Sequence, residues 1–232
     1  MTRDGSSALP TIEGYHVQEE IGAGGFSRVY RARQLSVGRD VALKVLDSEF
    51  SDDAQRRAFE HECQVMGRLT HPNIVRVYDS ATTSDGRGCI VMELYAGTYR
   101  DEGHLTIPDV IDVGVKIAEA LDEAHQIDVV HHDLKPHNLF KSARGEPALG
   151  DFGISTIAGR QTGTTRLTLR YAPPELLRDG RSDAKGDIYS LGATLYQLAT
   201  GEPPFAADTD EALIHKIMVE PPPRLSRSDA PA

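Results

Sequence analysis

The sequence predicts an α+β fold divided along the chain, with strands first and helices after. Three observations carry this. Period-two alternation dominates residues 15–46. Tyr15, Val17, Glu19 and Ile21 share one strand face, Val29-Tyr30-Arg31-Ala32 follows a glycine-rich turn, and Val41-Ala42-Leu43-Lys44-Val45-Leu46 is short, apolar and partly β-branched. Helical spacing takes over after Gly97, where Val110, Gly114, Ile117, Leu121 and Ala124 recur. The composition, 39% hydrophobic and 26% charged over 232 residues, is that of a globular chain with a sizeable core in one large or two small domains.

The remaining elements follow from local signals. Asp52 or Asp53 caps a helix running to about Leu69. Strands are expected near residues 74–78 and 89–94. Thr106-Ile107-Pro108-Asp109 has capping-box spacing with proline in the first turn, and starts a long helix. Residues 187–200 are apolar nearly all round and read as a buried helix, ended by Gly201 and Pro203. A further helix covers 208–219, and the proline-rich 221–232 is irregular. The expected organisation is a flexible tail at 1–12, a strand-rich unit at 13–95 and a helical unit at 96–232.

Charge and composition exclude several functions. A net charge of −10 argues against nucleic acid or an anionic membrane as partner. No apolar run approaches the ~18 residues needed to cross a bilayer, and residues 1–10 lack a signal-peptide core. Two cysteines, Cys63 and Cys89, make no disulfide framework and suit a reducing, cytoplasmic setting. No internal repeat is present.

Chemistry concentrates in a few short stretches. Ile21-Gly22-Ala23-Gly24-Gly25-Phe26-Ser27-Arg28-Val29 is a glycine-rich turn between strands, suited to bring backbone N–H groups against phosphate. An ordinary hairpin turn is the bland alternative. A dinucleotide fold would need a helix after the glycines, whereas the following residues alternate like a strand. Lys44 stands in an otherwise apolar strand on the same face as Ala42 and needs an anionic partner, unless it snorkels at an edge. Glu62 is the one charge in the helical stripe Phe59, Glu62, Cys63, Met66, Leu69, which makes it the candidate partner of Lys44.

His131-His132-Asp133-Leu134-Lys135-Pro136-His137-Asn138 sets a carboxylate, an ammonium and an amide in one loop, and Asp151-Phe152-Gly153 adds a second carboxylate. Asn138 and Asp151 offer oxygen ligands of the kind Mg²⁺ takes alongside phosphate. Asp133 suits a base that accepts the proton of an attacking hydroxyl. Singly, each could be a polar loop residue. A zinc reading of His131, His132 and His137 is weak, because neighbouring histidines point apart and no cysteine cluster completes the site.

Taken in order, these motifs resemble the eukaryotic-like (Hanks-type) serine/threonine protein kinases of bacteria over about residues 15–223. Pro174-Glu175 and Asp187-Ile188-Tyr189-Ser190-Leu191-Gly192 complete the series. The resemblance implies a bilobal protein-kinase-like fold, with a small antiparallel sheet and one helix in the N-lobe and a mainly helical C-lobe. It implies ATP and Mg²⁺ (with Mn²⁺ as a substitute), the glycine-rich residues 21–29 over the phosphates, and Lys44 on the α- and β-phosphates while paired to Glu62. Asp133 is then the catalytic base, Lys135 the neutraliser of the transferring phosphoryl group, and Asn138 and Asp151 the metal ligands. Ala42 belongs to the nucleotide site, Met92 is the gatekeeper, and Glu93 and Tyr95 offer backbone hydrogen bonds to adenine. Asp187 braces the catalytic loop, and Thr168 is the substrate-site threonine. Protein substrates bearing serine or threonine are implied, with autophosphorylation at Thr162, Thr164 or Thr165 beside Arg160 and Arg166, in trans within a homodimer.

The departures carry expectations of their own. Ser27 replaces the third glycine of the loop, and Pro173 replaces an alanine. His132 replaces the arginine that receives activation-loop phosphate, which predicts activity without strict need of loop phosphorylation. Residues 98–105 are polar where relatives carry an apolar helix. The chain stops at Ala232, so the C-lobe reads as truncated, with Glu175 lacking its buried arginine. The rival readings are a catalytically weak, kinase-like nucleotide-binding scaffold and a small-molecule phosphotransferase.

Overall fold

The computed structural model describes residues 8–100, 102–152 and 166–225, with the side chains of 166 and 167 outside that description. The chain forms two compact units, Met1–Arg68 with Arg76–Leu94, and Leu69–Val75 with Tyr95–Ala232.

The first unit is an antiparallel five-stranded sheet in the order β1-β2-β3-β5-β4. Its strands are β1 (Tyr15–Ala23), β2 (Ser27–Gln34), β3 (Arg39–Glu49), β4 (Val77–Thr82) and β5 (Arg87–Met92). Alternation along the strands makes two different faces. Val41, Leu43, Val45, Cys89 and Val91 build one core with Tyr30 and Ala32. The other face receives α1 (Asp53–Met66), whose buried residues are Phe59, Cys63 and Met66. Gly88 is required there, since a Cβ would lie 3.1 Å from the Phe59 ring and 2.7 Å from that of Phe50. Asp52 caps α1 by accepting from the Gln55 N–H.

Several boundaries differ from expectation. Ile12 is 3% exposed and joins the core, so the packed region reaches into the segment expected to be a loose tail. The helix expected to reach Leu69 stops at Met66, capped at Gly67. Ile74 lies in a turn bridged to Leu149, and the strand begins at Val77. Apolar residues 74–75 look like a strand locally, but their burial comes from the second unit.

The second unit carries a three-stranded sheet, β6 (Gly97–Thr98), β7 (Leu139–Lys141) and β8 (Pro147–Leu149). Its helices are α2 (Ile107–Gln126), α3 (Arg166–Leu169), α4 (Pro174–Asp179), α5 (Ala184–Thr200) and α6 (Asp210–Val219). Thr106 caps α2, with Pro108 in its first turn. Helix α5 starts three residues before the expected Asp187 because Asp183 caps it, and Gly201 ends it in the left-handed conformation. It is not buried all round, as Ile188 is 53% exposed. Helix α6 starts two residues after the expected position 208, because Thr209 caps it.

Candidate active site

The second unit contains a densely bonded loop. Asp187, near the start of α5 and 1% exposed, accepts from the His131 N–H through Oδ2 and from the His132 N–H through Oδ1, each at 2.8 Å. Its Oδ2 also receives Nε2–H of His125, from the last turn of α2, at 2.8 Å. One carboxylate therefore holds two successive peptide groups, and the chain turns there: His132 has φ 63°. His131 is fully buried, accepts from the Asp133 N–H at Nδ1 (3.2 Å) and reaches the Gly150 carbonyl through Nε2 (2.8 Å). A carbonyl only accepts, so this imidazole is neutral with its proton on Nε2.

These anchors present three side chains together. Lys135 Nζ donates to both oxygens of Asp133, at 2.7 and 3.0 Å, and to Thr168 Oγ1 at 3.0 Å. The Thr168 hydroxyl in turn donates to Asp133 Oδ1 at 3.2 Å. Asn138 sits in the helical turn Pro136–Asn138, and its Nδ2 donates to the Asp133 carbonyl at 2.7 Å. That bond orients the amide, and Asn138 Oδ1 accepts no hydrogen bond from any described residue. The Asp133 side chain stays 28% exposed, so a hydroxyl from outside can reach it.

Asp151 follows directly. Gly150 donates its N–H to the Asn138 carbonyl, and a Cβ on it would lie 2.7 Å from Phe140 and 2.9 Å from Val75. Only glycine fits this approach of β8 to β7. Asp151 itself has φ 65°. Non-glycine residues rarely adopt this conformation, and two of the three found among the described residues, His132 and Asp151, stand at this site. The His131 ring packs on Phe152, with centroids 4.7 Å apart. Among the described residues no three His, Cys, Asp or Glu side chains form a ligand cage. A metal held by Asn138 Oδ1 and Asp151 would complete its shell with phosphate and water oxygens, as Mg²⁺ does.

In the first unit, register gathers the other candidates. Gly22 faces Val29, Val29 faces Lys44, Ala42 faces Met92 and Lys44 faces Ile90. Directly paired residues share a sheet face, so Val29, Ala42, Lys44 and Met92 lie together on the α1 side. The glycine turn closes through the Gly24 N–H on the Ser27 carbonyl and the Asp47 N–H on the Phe26 carbonyl. Ile21, Gly24, Gly25 and Phe26 are exposed along it, and Ser27 is buried. Glu93 donates its N–H to the Arg76 carbonyl, which leaves its own carbonyl as the group it can offer a ligand.

The expected ion pair between Lys44 and Glu62 is not formed: among the described residues no cation lies within 4 Å of Glu62. Glu62 sits beside the buried stripe of α1 rather than in it and keeps contact with water, whereas Lys44 is 7% exposed. Drawing the carboxylate in would cost its hydration. Cys63 and Cys89 belong to opposite faces of the sheet, and burial pushes both thiols up to about 12.

Sequence reasoning missed His125, the third partner of Asp187. The only local signal is a histidine in the last turn of a helix, which gives no hint of a partner 62 residues on. The expected phosphorylation sites Thr162, Thr164 and Thr165, together with Gly153 and Arg160, lie outside the described residues, as does the side chain of Arg166.

A family comparison decides the affiliation: the protein kinase domain matches residues 15–227. The chain belongs to the protein kinase family. Similar kinases are bacterial. Serine/threonine-protein kinase PknK of Mycobacterium bovis is 38% identical over 231 residues, covering 94% of this chain and 21% of its own length. Serine/threonine-protein kinase PknJ of Mycobacterium tuberculosis is 39% identical over 235 residues, covering 95% of this chain and 40% of its own. Serine/threonine-protein kinase PknB of Mycobacterium leprae is 36% identical over 222 residues, covering 90% and 36%. This chain thus spans between about a fifth and two fifths of the length of these relatives. No described helix of the kinase is long and apolar enough to cross a membrane.

Proposed function

We propose that this chain transfers the γ-phosphate of ATP to serine and threonine hydroxyls of proteins. The observation that carries the reading is the Asp133–Lys135–Thr168 arrangement, in which the base already holds a threonine hydroxyl at 3.2 Å beside an ammonium. A substrate hydroxyl in the same relation to Asp133 gives up its proton to the carboxylate as its oxygen attacks the γ-phosphorus and the bond from that phosphorus to the bridging oxygen breaks, with ADP leaving. Lys135 offsets negative charge on the moving phosphoryl group. Asn138 Oδ1 and Asp151 would hold Mg²⁺, which neutralises the phosphate oxygens when bound. Val29, Ala42, Met92 and the Glu93 and Tyr95 backbone would receive the nucleotide, with Lys44 on its phosphates. A scaffold that binds nucleotide without turnover is favoured by one observation, the missing Lys44–Glu62 pair. The complete Asp133, Lys135, Asn138 and Asp151 set favours the enzyme.

The test is ATP- and Mg²⁺-dependent phosphorylation of a generic protein substrate by this chain beside its Asp151→Asn variant. Transfer by the former alone supports the reading, and nucleotide binding without transfer by either supports the scaffold. Regulation belongs to the same reading. His132 is exposed and cannot form the bidentate fork of an arginine to phosphate. The variant with Thr162, Thr164 and Thr165 all changed to alanine is therefore expected to keep most of its transfer to an outside substrate, and abolished transfer would refute this. Autophosphorylation at these threonines in trans within a homodimer is read out by mass mapping after incubation with ATP. The two high-pKa thiols suit a reducing, cytoplasmic setting.

A further inference from the structure

Four described arginines are neither fully exposed nor on the surface rim: Arg31, Arg39, Arg87 and Arg170. Three of them have partners. Arg31 donates to Asp40 at 3.0 Å. Arg39 donates to Gln34 at 2.7 Å and lies over the Tyr78 ring. Arg87 donates to Asp85 at 2.9 Å. The Arg170 guanidinium has neither a carboxylate nor a hydrogen-bond acceptor among the described residues. Glu175, five residues on, has no cation within 4 Å among them either, so the two do not pair.

Arg170 is also held in place. It lies two residues past Thr168, in a turn closed by the Tyr171 N–H on the Thr168 carbonyl (3.1 Å) and the Ala172 N–H on the Leu169 carbonyl (3.2 Å). Leu169 before it is buried with Phe205, Leu213 and Ile217. Tyr171 after it is buried, accepts from Ser190 Oγ at its carbonyl and bonds Gln197 through its hydroxyl. Both neighbours are fixed inward, and Arg170 is the side chain this turn leaves over. Arg170 is thus a partly buried arginine whose donors meet no anion among the described residues. An incoming oxyanion would fill them, and the planar fork suits carboxylate or phosphate.

Resting on the kinase reading above, we propose that Arg170 is a specificity residue. It selects protein substrates that carry an oxyanion, the carboxylate of Asp or Glu or a phosphorylated side chain, close to the acceptor hydroxyl. Thr168 touches Asp133, and Arg170 lies two residues past it with only Leu169 between. The selected oxyanion is therefore roughly two to four residues from the acceptor along an extended peptide. The preference is local and opposes the chain's net charge of −10, which otherwise disfavours acidic substrates.

The experiment measures kcat and KM of the full chain, with ATP and Mg²⁺, on peptides with one threonine acceptor in a neutral background. Glu, phosphoserine, Ala or Lys is placed in turn at each flanking position. Wild type is expected to favour Glu or phosphoserine at one position by about tenfold in kcat/KM, chiefly through KM. The two acidic arms show whether carboxylate or phosphate is the better ligand. Arg170→Ala should flatten the preference, and Arg170→Glu should prefer Lys at the same position. That charge swap is a result a merely structural role would not produce. Wild type that phosphorylates the alanine peptide but ignores charge everywhere overturns this proposal alone, as does Arg170→Glu with an unchanged acidic preference. Failure to phosphorylate any peptide or protein overturns the kinase reading and this proposal with it.

Discussion

The two units hold their candidate residues in opposite ways. In the second unit the successive N–H groups of His131, His132 and Asp133 are each tied to a side chain, and the tie points converge on Asp187 and, through the His131 ring, on Gly150. Asp133, Lys135 and Thr168 are thereby in mutual contact. In the first unit the sheet brings Val29, Ala42, Lys44 and Met92 to one face, but the turn over them has exposed residues at its tip and Glu62 stands apart from Lys44. The unit that carries Asp133 holds its candidate residues preorganised, and in the other the expected Lys44–Glu62 pair is not formed. Preorganised dipoles cost nothing at the moment of reaction, whereas an unmade pair leaves a step that can be regulated.

The contrast can be broken or sharpened by experiment. The largest effect is expected from Asp133→Asn, which removes the base and should lower transfer about 10²–10⁴-fold while nucleotide binding remains. Equal turnover would remove Asp133 from its role. Next is Asp187→Ala. It leaves the His131 and His132 N–H groups without their acceptor, which at ~1–3 kcal/mol each amounts to about 2–6 kcal/mol, read as a lower urea midpoint. A change near zero would mean the loop is held by other contacts. Glu62→Gln should separate the units. Stability should stay within about 0.5 kcal/mol, since no ion pair is lost, while transfer falls by about tenfold because a Lys44–Glu62 pair formed on nucleotide binding would lose its carboxylate. A loss of stability without loss of transfer would reverse the comparison.

The smallest effect concerns the thiols. In the folded chain Cys63 and Cys89 are pushed from 9.0 to about 12 by burial, so the fold favours the neutral thiol. Their contribution is fully present below pH ~9 and is lost as pH rises toward about 12, because the unfolded chain ionises first. The urea midpoint should fall over that range, less steeply when both are alanine, and neither thiol should react with an alkylating reagent at pH 8 until the chain unfolds.

Much of this was legible in the residues. Strand alternation, the Asp52 and Thr106 caps, and the order of Lys44, Glu62, Asp133, Asn138 and Asp151 are local or linear signals. Local signals survive folding, because a cap or a strand face depends on near neighbours. The misplaced strand at Ile74 and the tail residue Ile12 failed for the same reason in reverse, since distant contacts decide their burial. The glutamate stripe on α1 was visible, but spacing alone could not say whether Glu62 turns to Lys44 or to water.

By itself, then, the sequence determined which residues could do the chemistry, in which order, and on which kind of element each sits. Tertiary structure decided which of them meet. It joined His125 to Asp187 across 62 residues, brought the Thr168 hydroxyl to Asp133 and Lys135, kept Glu62 from Lys44, and left Arg170 without an anion among the described residues. Periodicity and capping are properties of adjacent residues, whereas a hydrogen bond between distant ones depends on how whole elements pack, and no single stretch of chain encodes that.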